Sequence, residues 1–348
     1  MAINIYETLT MLQMINDSVE PFSFLQGVFF PHERTFPTEK VLVDIKKGGR
    51  KMTPLVSKYA NGVLDKRTGY KTDELRTPFV APIRTLTAAD LAHRKAGENI
   101  IGGKSAAQRA LEYFAEDTKE LQDKHINTRE YLASKVLLGE SIDIDEVDRS
   151  GNVVGKFNID YGFENVKTVR AAEKFSVAGS NPEDVLEEYI DKFLEPKGNV
   201  PGIIVLDSEA GKAFKNNTAI KERIQLFAQA GQLRMPQYKG KGVTYLGEFT
   251  KYNIPVYIYS NYMDQGSGTA TQLMPSGTAI MGPVGEGYMN YGAITQTEDG
   301  TNWQTYEAKE VPLYTPDVRN QVTEYRLASR PLPSPFDVDA FMTLKGLV

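Results

Sequence analysis

The stretch KSAAQRALEYFAEDTKELQDKHINTREYLASKVLL, Lys104 to Leu138, decides how the rest of the chain is organised. Ala107, Leu111, Phe114, Thr118, Leu121, His125, Thr128, Leu132 and Val136 recur at steps of three and four. That spacing lays one mostly apolar stripe along a helix of roughly nine turns. A helix of this length is a packing strut. His125 stands in mid-stripe, but the other two histidines, His32 and His93, are far from it in sequence, so it reads as structural rather than as a ligand.

The residues before the helix, AGENIIGGKS (Ala96 to Ser105), nearly spell a phosphate-cradling loop. Such a loop needs Gly, four residues, then Gly-Lys-Ser/Thr, so that backbone N–H groups converge on the anion. Here the required glycine position holds Glu98, and Gly97 comes one place too early. The preceding LTAADLAHRKAG reads as helix or turn where a strand should stand. Lys104 and Ser105 are therefore expected to open the long helix, with Gly102 and Gly103 allowing the turn into it and Ser105 near its cap.

Downstream, SIDIDEVDRSGNVVGKFNIDYGF alternates apolar and polar residues on both sides of RSGN, the pattern of a β-hairpin. Its acids Asp143, Asp145, Glu146 and Asp148 lack the frame of a calcium loop and read as a solvated strand face. Asn181, Pro182, Glu183 and Asp184 form a helix N-terminus, followed by the apolar face Val185, Leu186, Tyr189, Ile190, Phe193 and Leu194. GIIVLD then predicts a buried strand ending at Asp207. An Asp there suits a phospho-acceptor or magnesium ligand, but position 209 is Glu209 and the second Asp of that frame is missing. Strands at IPVYIYS and TAIMG and a helix at IKERIQLFAQ continue a mixed unit through about Asp317. The tail TEYRLASRPLPSPFDVDAFMTLKGLV predicts a strand, a proline-rich break and a final strand. No Ser-His-Asp set, metal cluster or dinucleotide fingerprint emerges, which favours a structural role over an enzyme using Lys104 or Asp207.

The 348 residues contain no cysteine, which excludes disulfides, thiolate metal sites and a Cys nucleophile. No run approaches eighteen apolar residues and no signal peptide opens the chain, so a soluble protein made in the cytoplasm is expected. Net charge is −5 and disfavours a general nucleic-acid binder. From Lys40 to Arg76, however, ten Lys/Arg oppose four acids, a local +6 that leaves about −11 for the remainder. This segment is polar, with short β-like pieces (VLVDI, PLVSKYANGVL) and turn signals at GG, NG and TG, and reads as a projecting loop. Before it, Phe22, Phe24, Phe29 and Phe30 must be buried in the domain or against a neighbour.

In order along the chain, FPTEKV (Phe36 to Val41), MTPLVS (Met52 to Ser57), Gly62-Val63 and PFVAP (Pro78 to Pro82) precede the long helix. After it come GIIVLD with an amphipathic helix, MPSGTAIMGPVGEGYMNYGAI (Met274 to Ile294) and SRPLPSPFDVDAF (Ser329 to Phe341). This collinear series resembles the lambda-type (E-type) major capsid proteins of tailed phages over essentially the whole chain. The resemblance implies an α+β Hong Kong 97-type capsid fold: N-terminal arm 1–35, extended loop 36–85, peripheral domain 86–180 and 319–348 with the long spine helix, and axial domain 181–318. It implies a subunit that self-assembles as hexamers and pentamers into an icosahedral shell around double-stranded DNA, in the virion after assembly in the host cytoplasm. A bacterial cargo-enclosing compartment with the same fold is the alternative. The arm begins almost at once, so a separate scaffolding protein is expected, with a portal as further partner and a decoration protein as a means of reinforcement; no cofactor is implied, and no sequence-specific contact to the DNA. Lys46, Lys47, Arg50, Lys51, Lys66 and Arg67 of the basic loop are the candidate interface residues, meeting an acidic neighbour.

Overall fold

Two short helices, α1 (Thr8–Asn16) and α2 (Leu25–Phe29), open the computed structural model, which describes residues 8–16, 23–46, 70–93, 104–163, 165–177, 179–197, 199–222, 237–249, 251–264, 268–298, 300–336 and 340–348. Strand β1 (His32–Thr35) precedes the antiparallel ribbon of β2 (Lys40–Lys46) and β3 (Tyr70–Arg76). Strand β4 (Ile83–Thr87) runs into α3 (Ala88–Ala92) through a capping box between Thr87 and Asp90.

The predicted strut is helix α4 (Ala106–Leu137), whose 32 residues span about 48 Å at 1.5 Å each. Ser105 is its N-cap: its hydroxyl accepts the Gln108 N–H, and the Gln108 side chain accepts the Ser105 N–H in return. The stripe is buried over the C-terminal half, at Leu121, His125, Leu132 and Val136. Leu111 of the same stripe is 43% exposed, because only a small satellite cluster reaches the first turns. In that cluster Met11 and Ile15 of α1 pack with Leu121, Tyr325 and Leu327.

The predicted hairpin follows as β5 (Ile142–Val147) and β6 (Val153–Ile159), with the Asp148 carboxylate accepting the Ser150 and Asn152 N–H groups in the turn. Strand β7 (Val166–Thr168) leads to α5 (Pro182–Lys197), where the Asn181 side chain accepts the Glu183 N–H as its spacing predicts. Next come β8 (Ile203–Asp207) and α6 (Ser208–Asn216). Of the helix predicted at IKERIQLFAQ, the turns up to Glu222 are helical and the rest lies outside the described residues. Strands β9 (Gln237–Gly240), β10 (Val243–Phe249) and β11 (Ile254–Tyr259) form a meander, followed by the small hairpin β12 (Tyr262–Asp264) and β13 (Ala270–Gln272). Strands β14 (Thr278–Gly282) and β15 (Gly287–Tyr291) precede two further hairpins. These are β16 (Ile294–Thr297) with β17 (Trp303–Tyr306), and β18 (Val311–Asp317) with β19 (Val322–Ala328). Strand β20 (Pro331–Pro335) and strand β21 (Met342–Lys345) close the chain.

A seven-stranded mixed sheet in the order β7-β21-β14-β8-β11-β10-β9 carries the core. Successive side chains of a strand face opposite ways, so the unbroken apolar run of β8 serves two clusters. Ile204 and Leu206 pack with Leu186, Tyr189, Ile190 and Phe193 of α5. Ile203 and Val205 face the larger cluster, with the C-terminal half of α4, the β5–β6 hairpin and α2. Helix α6 lies so close to β11 that a Cβ on Gly211 would stand 2.5 Å from the Ile258 side chain, which accounts for glycine there. The final strand β21 sits between β14 and β7, so the last residues complete the same sheet that β8 begins. Two further sheets are three-stranded, β1-β15-β20 and β18-β19-β4.

Candidate assembly surfaces

The ribbon β2–β3 carries the described part of the predicted basic loop. Its register runs from Lys40 opposite Arg76 to Lys46 opposite Tyr70. Lys46 therefore sits at the far end of the described ribbon, while Lys47, Arg50, Lys51, Lys66 and Arg67 lie outside the described residues. At the foot, Val41 is buried in the main core and Leu75 packs on it. Lys40 pairs with Glu74 at 3.3 Å, and Arg76 reaches Glu39 at 3.5 Å and Glu146 of β5 at 3.4 Å. Exposed pairs of this kind contribute at most about 1 kcal/mol each, so they orient the foot more than they stabilise it.

Of the four phenylalanines of the N-terminal segment, Phe24, Phe29 and Phe30 are buried against their own subunit, and Phe22 lies outside the described residues. Phe24 packs on Tyr257 and Tyr259, and Phe29 and Phe30 pack on Phe341. One carboxylate of α4 fixes this arrangement. Glu130 accepts the N–H groups of Phe24 (3.1 Å), Leu25 (2.8 Å) and Gln26 (2.9 Å), which no turn of α2 precedes to satisfy, and also the Tyr259 hydroxyl at 2.8 Å. Burial and the Glu130 charge push the Tyr259 hydroxyl well above the usual phenol range. One residue earlier, Arg129 makes a 2.9 Å ion pair with Glu310, both side chains buried. His125 donates from Nε2 to the Leu327 carbonyl at 3.0 Å, and burial lowers its pKa to about 4. Helix α4 thus carries three buried polar anchors within six residues, each gripping a different part of the chain. Spacing places only His125 on the buried stripe; Arg129 and Glu130 look like a solvated helix face, because their partners lie far away in sequence.

The candidates for chemistry are not brought together. Lys104 pairs with Glu112 at the start of α4. Asp207 caps α6 by accepting the Glu209 (2.8 Å) and Ala210 (3.0 Å) N–H groups, and also takes the Thr278 N–H of β14 at 3.1 Å. Burial raises its pKa against those donors. Asp143 is held by Asn158 and Ser141, and Asp148 by its own turn. Among the described residues, no group of three or more His, Asp or Glu is placed to hold a metal ion, and no helix is long and apolar enough to cross a membrane.

Several of the exposed large apolar side chains lie on hairpins. Val147, Val153 and Val154 stand out on β5–β6, Trp303 on β17, Val318 at the β18–β19 turn and Tyr238 on β9. Trp303, the single tryptophan of the chain, is 69% exposed, an unusual position for the residue that most often anchors protein interfaces. Two of these hairpins are joined: Arg149 at the β5–β6 turn pairs with Glu324 of β19. Apolar side chains exposed near several hairpin turns suit heterologous contacts between identical copies.

The fold is found in solved capsid proteins. A prophage capsid protein of Escherichia coli CFT073 superposes with a TM-score of 0.67 at 18% identity, covering 99% of each chain. A phage-related protein of Bordetella bronchiseptica RB50 gives 0.54 at 10% identity over 97% of this chain and 96% of its own. The capsid subunit of a native GTA particle gives 0.51 at 11% identity over 95% and 94%. No curated protein sequence matches the chain. Residues 7–345 match the sequence model of the phage major capsid protein E family, and with that match over nearly its whole length the chain belongs to this family of self-assembling phage shell proteins, built on the Hong Kong 97-type capsid fold.

Proposed function

We propose that the chain is the head subunit that closes, as hexamers and pentamers, into an icosahedral shell around the double-stranded DNA of a tailed phage. The observation that carries the reading is the family match across residues 7–345. Apolar side chains exposed near the turns of several hairpins support it. In this reading 1–35 is the arm, 36–85 the extended loop, 86–180 with 319–348 the peripheral portion and 181–318 the axial portion. The division is one of place in the shell rather than of folding units, since β7 and β21 hydrogen-bond into the same sheet as β8 and β14. The basic loop, with Lys46, Lys47, Arg50, Lys51, Lys66 and Arg67, docks on acidic surface of an adjacent copy, where charge sets register and apolar contacts supply affinity. The subunit has no catalytic role. Assembly takes place in the host cytoplasm, with a separate scaffolding protein and a portal, a decoration protein adding reinforcement. The negative net charge keeps the shell from adhering to the DNA it encloses.

Sedimentation velocity of the purified subunit, alone and with its scaffold, tests this reading. Capsomer-sized and shell-sized species that grow with concentration are expected. A monomer boundary under every condition overturns it.

A further inference from the structure

Both legs of the β2–β3 ribbon return to the body at one place, and the side chain of Arg330 meets each of them. On the incoming leg its Nη1 lies 2.8 Å from Glu39 Oε1. On the outgoing leg its guanidinium carbon stands 4.9 Å from the centre of the Phe79 ring, a cation–π distance. The backbone around it is pinned as well. The Arg330 carbonyl accepts the Gly292 N–H at 3.1 Å, the adjacent Ser329 exchanges two backbone hydrogen bonds with Val80 at 2.8 and 2.9 Å, and Ala293 donates to the Thr38 carbonyl at 2.9 Å. Gly292 presses into the angle between the legs, where a Cβ would fall 2.5 Å from Thr77 Oγ1 and 3.0 Å from the Glu39 carbonyl. Thr77 Oγ1 donates to that same carbonyl at 2.7 Å and so ties one leg to the other.

We propose that Arg330 is the positioning residue that fixes the direction in which the ribbon leaves the subunit, and through it the angle between neighbouring copies in the shell. The inference rests on the shell-subunit reading given above. Among the described residues the ribbon pairs with no third strand, so its direction is set at the foot. Seven residues of strand extend about 23 Å, so a tilt of roughly 10° at the foot moves the far end by about 4 Å. In a closed shell that error repeats at every heterologous contact and decides whether the rings close. A guanidinium suits the position because it is broad enough to lie against the Phe79 ring and the Glu39 carboxylate at once; an ammonium is a point charge and serves one leg only. Glu39 shares its charge with Arg76, which reaches Glu146, so the β5–β6 hairpin is tied into the same foot.

The test compares full-length Arg330→Ala, Arg330→Lys, Glu39→Gln and Phe79→Ala with the parent. The readouts are circular-dichroism melts, hydrogen exchange of the ribbon amides, and particle diameters by cryo-electron microscopy. Arg330→Ala is expected to stay folded, to exchange its ribbon amides roughly tenfold faster, and to give open sheets or a broadened diameter distribution. Arg330→Lys should restore melting but not uniform diameter, and Glu39→Gln and Phe79→Ala should each produce part of the effect. Parental exchange and parental diameter in Arg330→Ala overturn the proposal. If Arg330→Ala does not fold, the same parental result in both Glu39→Gln and Phe79→Ala overturns it. A parent that forms no shell refutes the shell reading instead, and the exchange rates alone then decide whether Arg330 holds the ribbon.

Discussion

Glu130 holds four donors from two directions, and its removal shows what a buried carboxylate does for this fold. Glu130→Ala leaves the Phe24, Leu25 and Gln26 N–H groups and the Tyr259 hydroxyl without their acceptor. The expected loss is about 3 kcal/mol or more, read as a fall in the urea midpoint; Glu130→Gln keeps one acceptor oxygen and should lose less. His125 gives a pH dependence whose sign is fixed by its burial. Its folded pKa of about 4 lies below the ordinary 6.5, so the unfolded chain binds the extra proton between those values. Stability attributable to His125 is complete above pH 6.5 and falls by up to about 3 kcal/mol as pH drops to 4. His125→Gln keeps a donor for the Leu327 carbonyl and does not titrate; its stability profile over that interval should be flatter than the parent's. Equal slopes in the two proteins would contradict the assignment. Neither role was legible beforehand. The stripe correctly puts His125 inside, but its partner carbonyl lies 202 residues away, and Glu130 on a charged helix looks solvated until α2 is seen to end on it.

At the scale of elements, the legible features were those with local causes. Ser105 and Gln108 close a capping box within four residues, Asn181 caps α5 two residues on, and the RSGN turn is organised by Asp148 beside it. Ser105→Ala should therefore cost about 1 kcal/mol of stability without changing the fold, measured by thermal melting. Asp207 separates a structural from a chemical reading. Its carboxylate caps α6 and also accepts from β14, so Asp207→Ala should lower stability by about 2 kcal/mol, while Lys104→Ala, which loses one exposed ion pair, should change it by less than about 0.5 kcal/mol. Nucleotide binding lost in both variants at unchanged stability would contradict the structural roles. What the sequence pattern overstated was the reach of the α4 stripe. Periodicity marks the side of a helix that faces a partner, but it does not say how far along the helix the partner extends, and Leu111 is left exposed.

For the whole molecule, the collinear motifs lead to the right family because a shell subunit carries its signature in the order of its elements rather than in a catalytic constellation. Sheet membership was less legible: β7 near the middle of the chain and β21 near its end pair with each other beside β14, through long-range hydrogen bonding that no local pattern encodes. The charge asymmetry between Lys40–Arg76 and the acidic remainder yields a prediction at this scale. Reversing Lys46, Lys47, Arg50 and Lys51 to Glu should leave the monomer folded by circular dichroism and abolish assembly, and raised salt should weaken assembly of the parent. The most direct measurement is electron microscopy of the subunit expressed alone and with a candidate scaffolding protein. Closed shells or capsomer rings are the predicted result, and discrete single subunits under every condition would contradict the account.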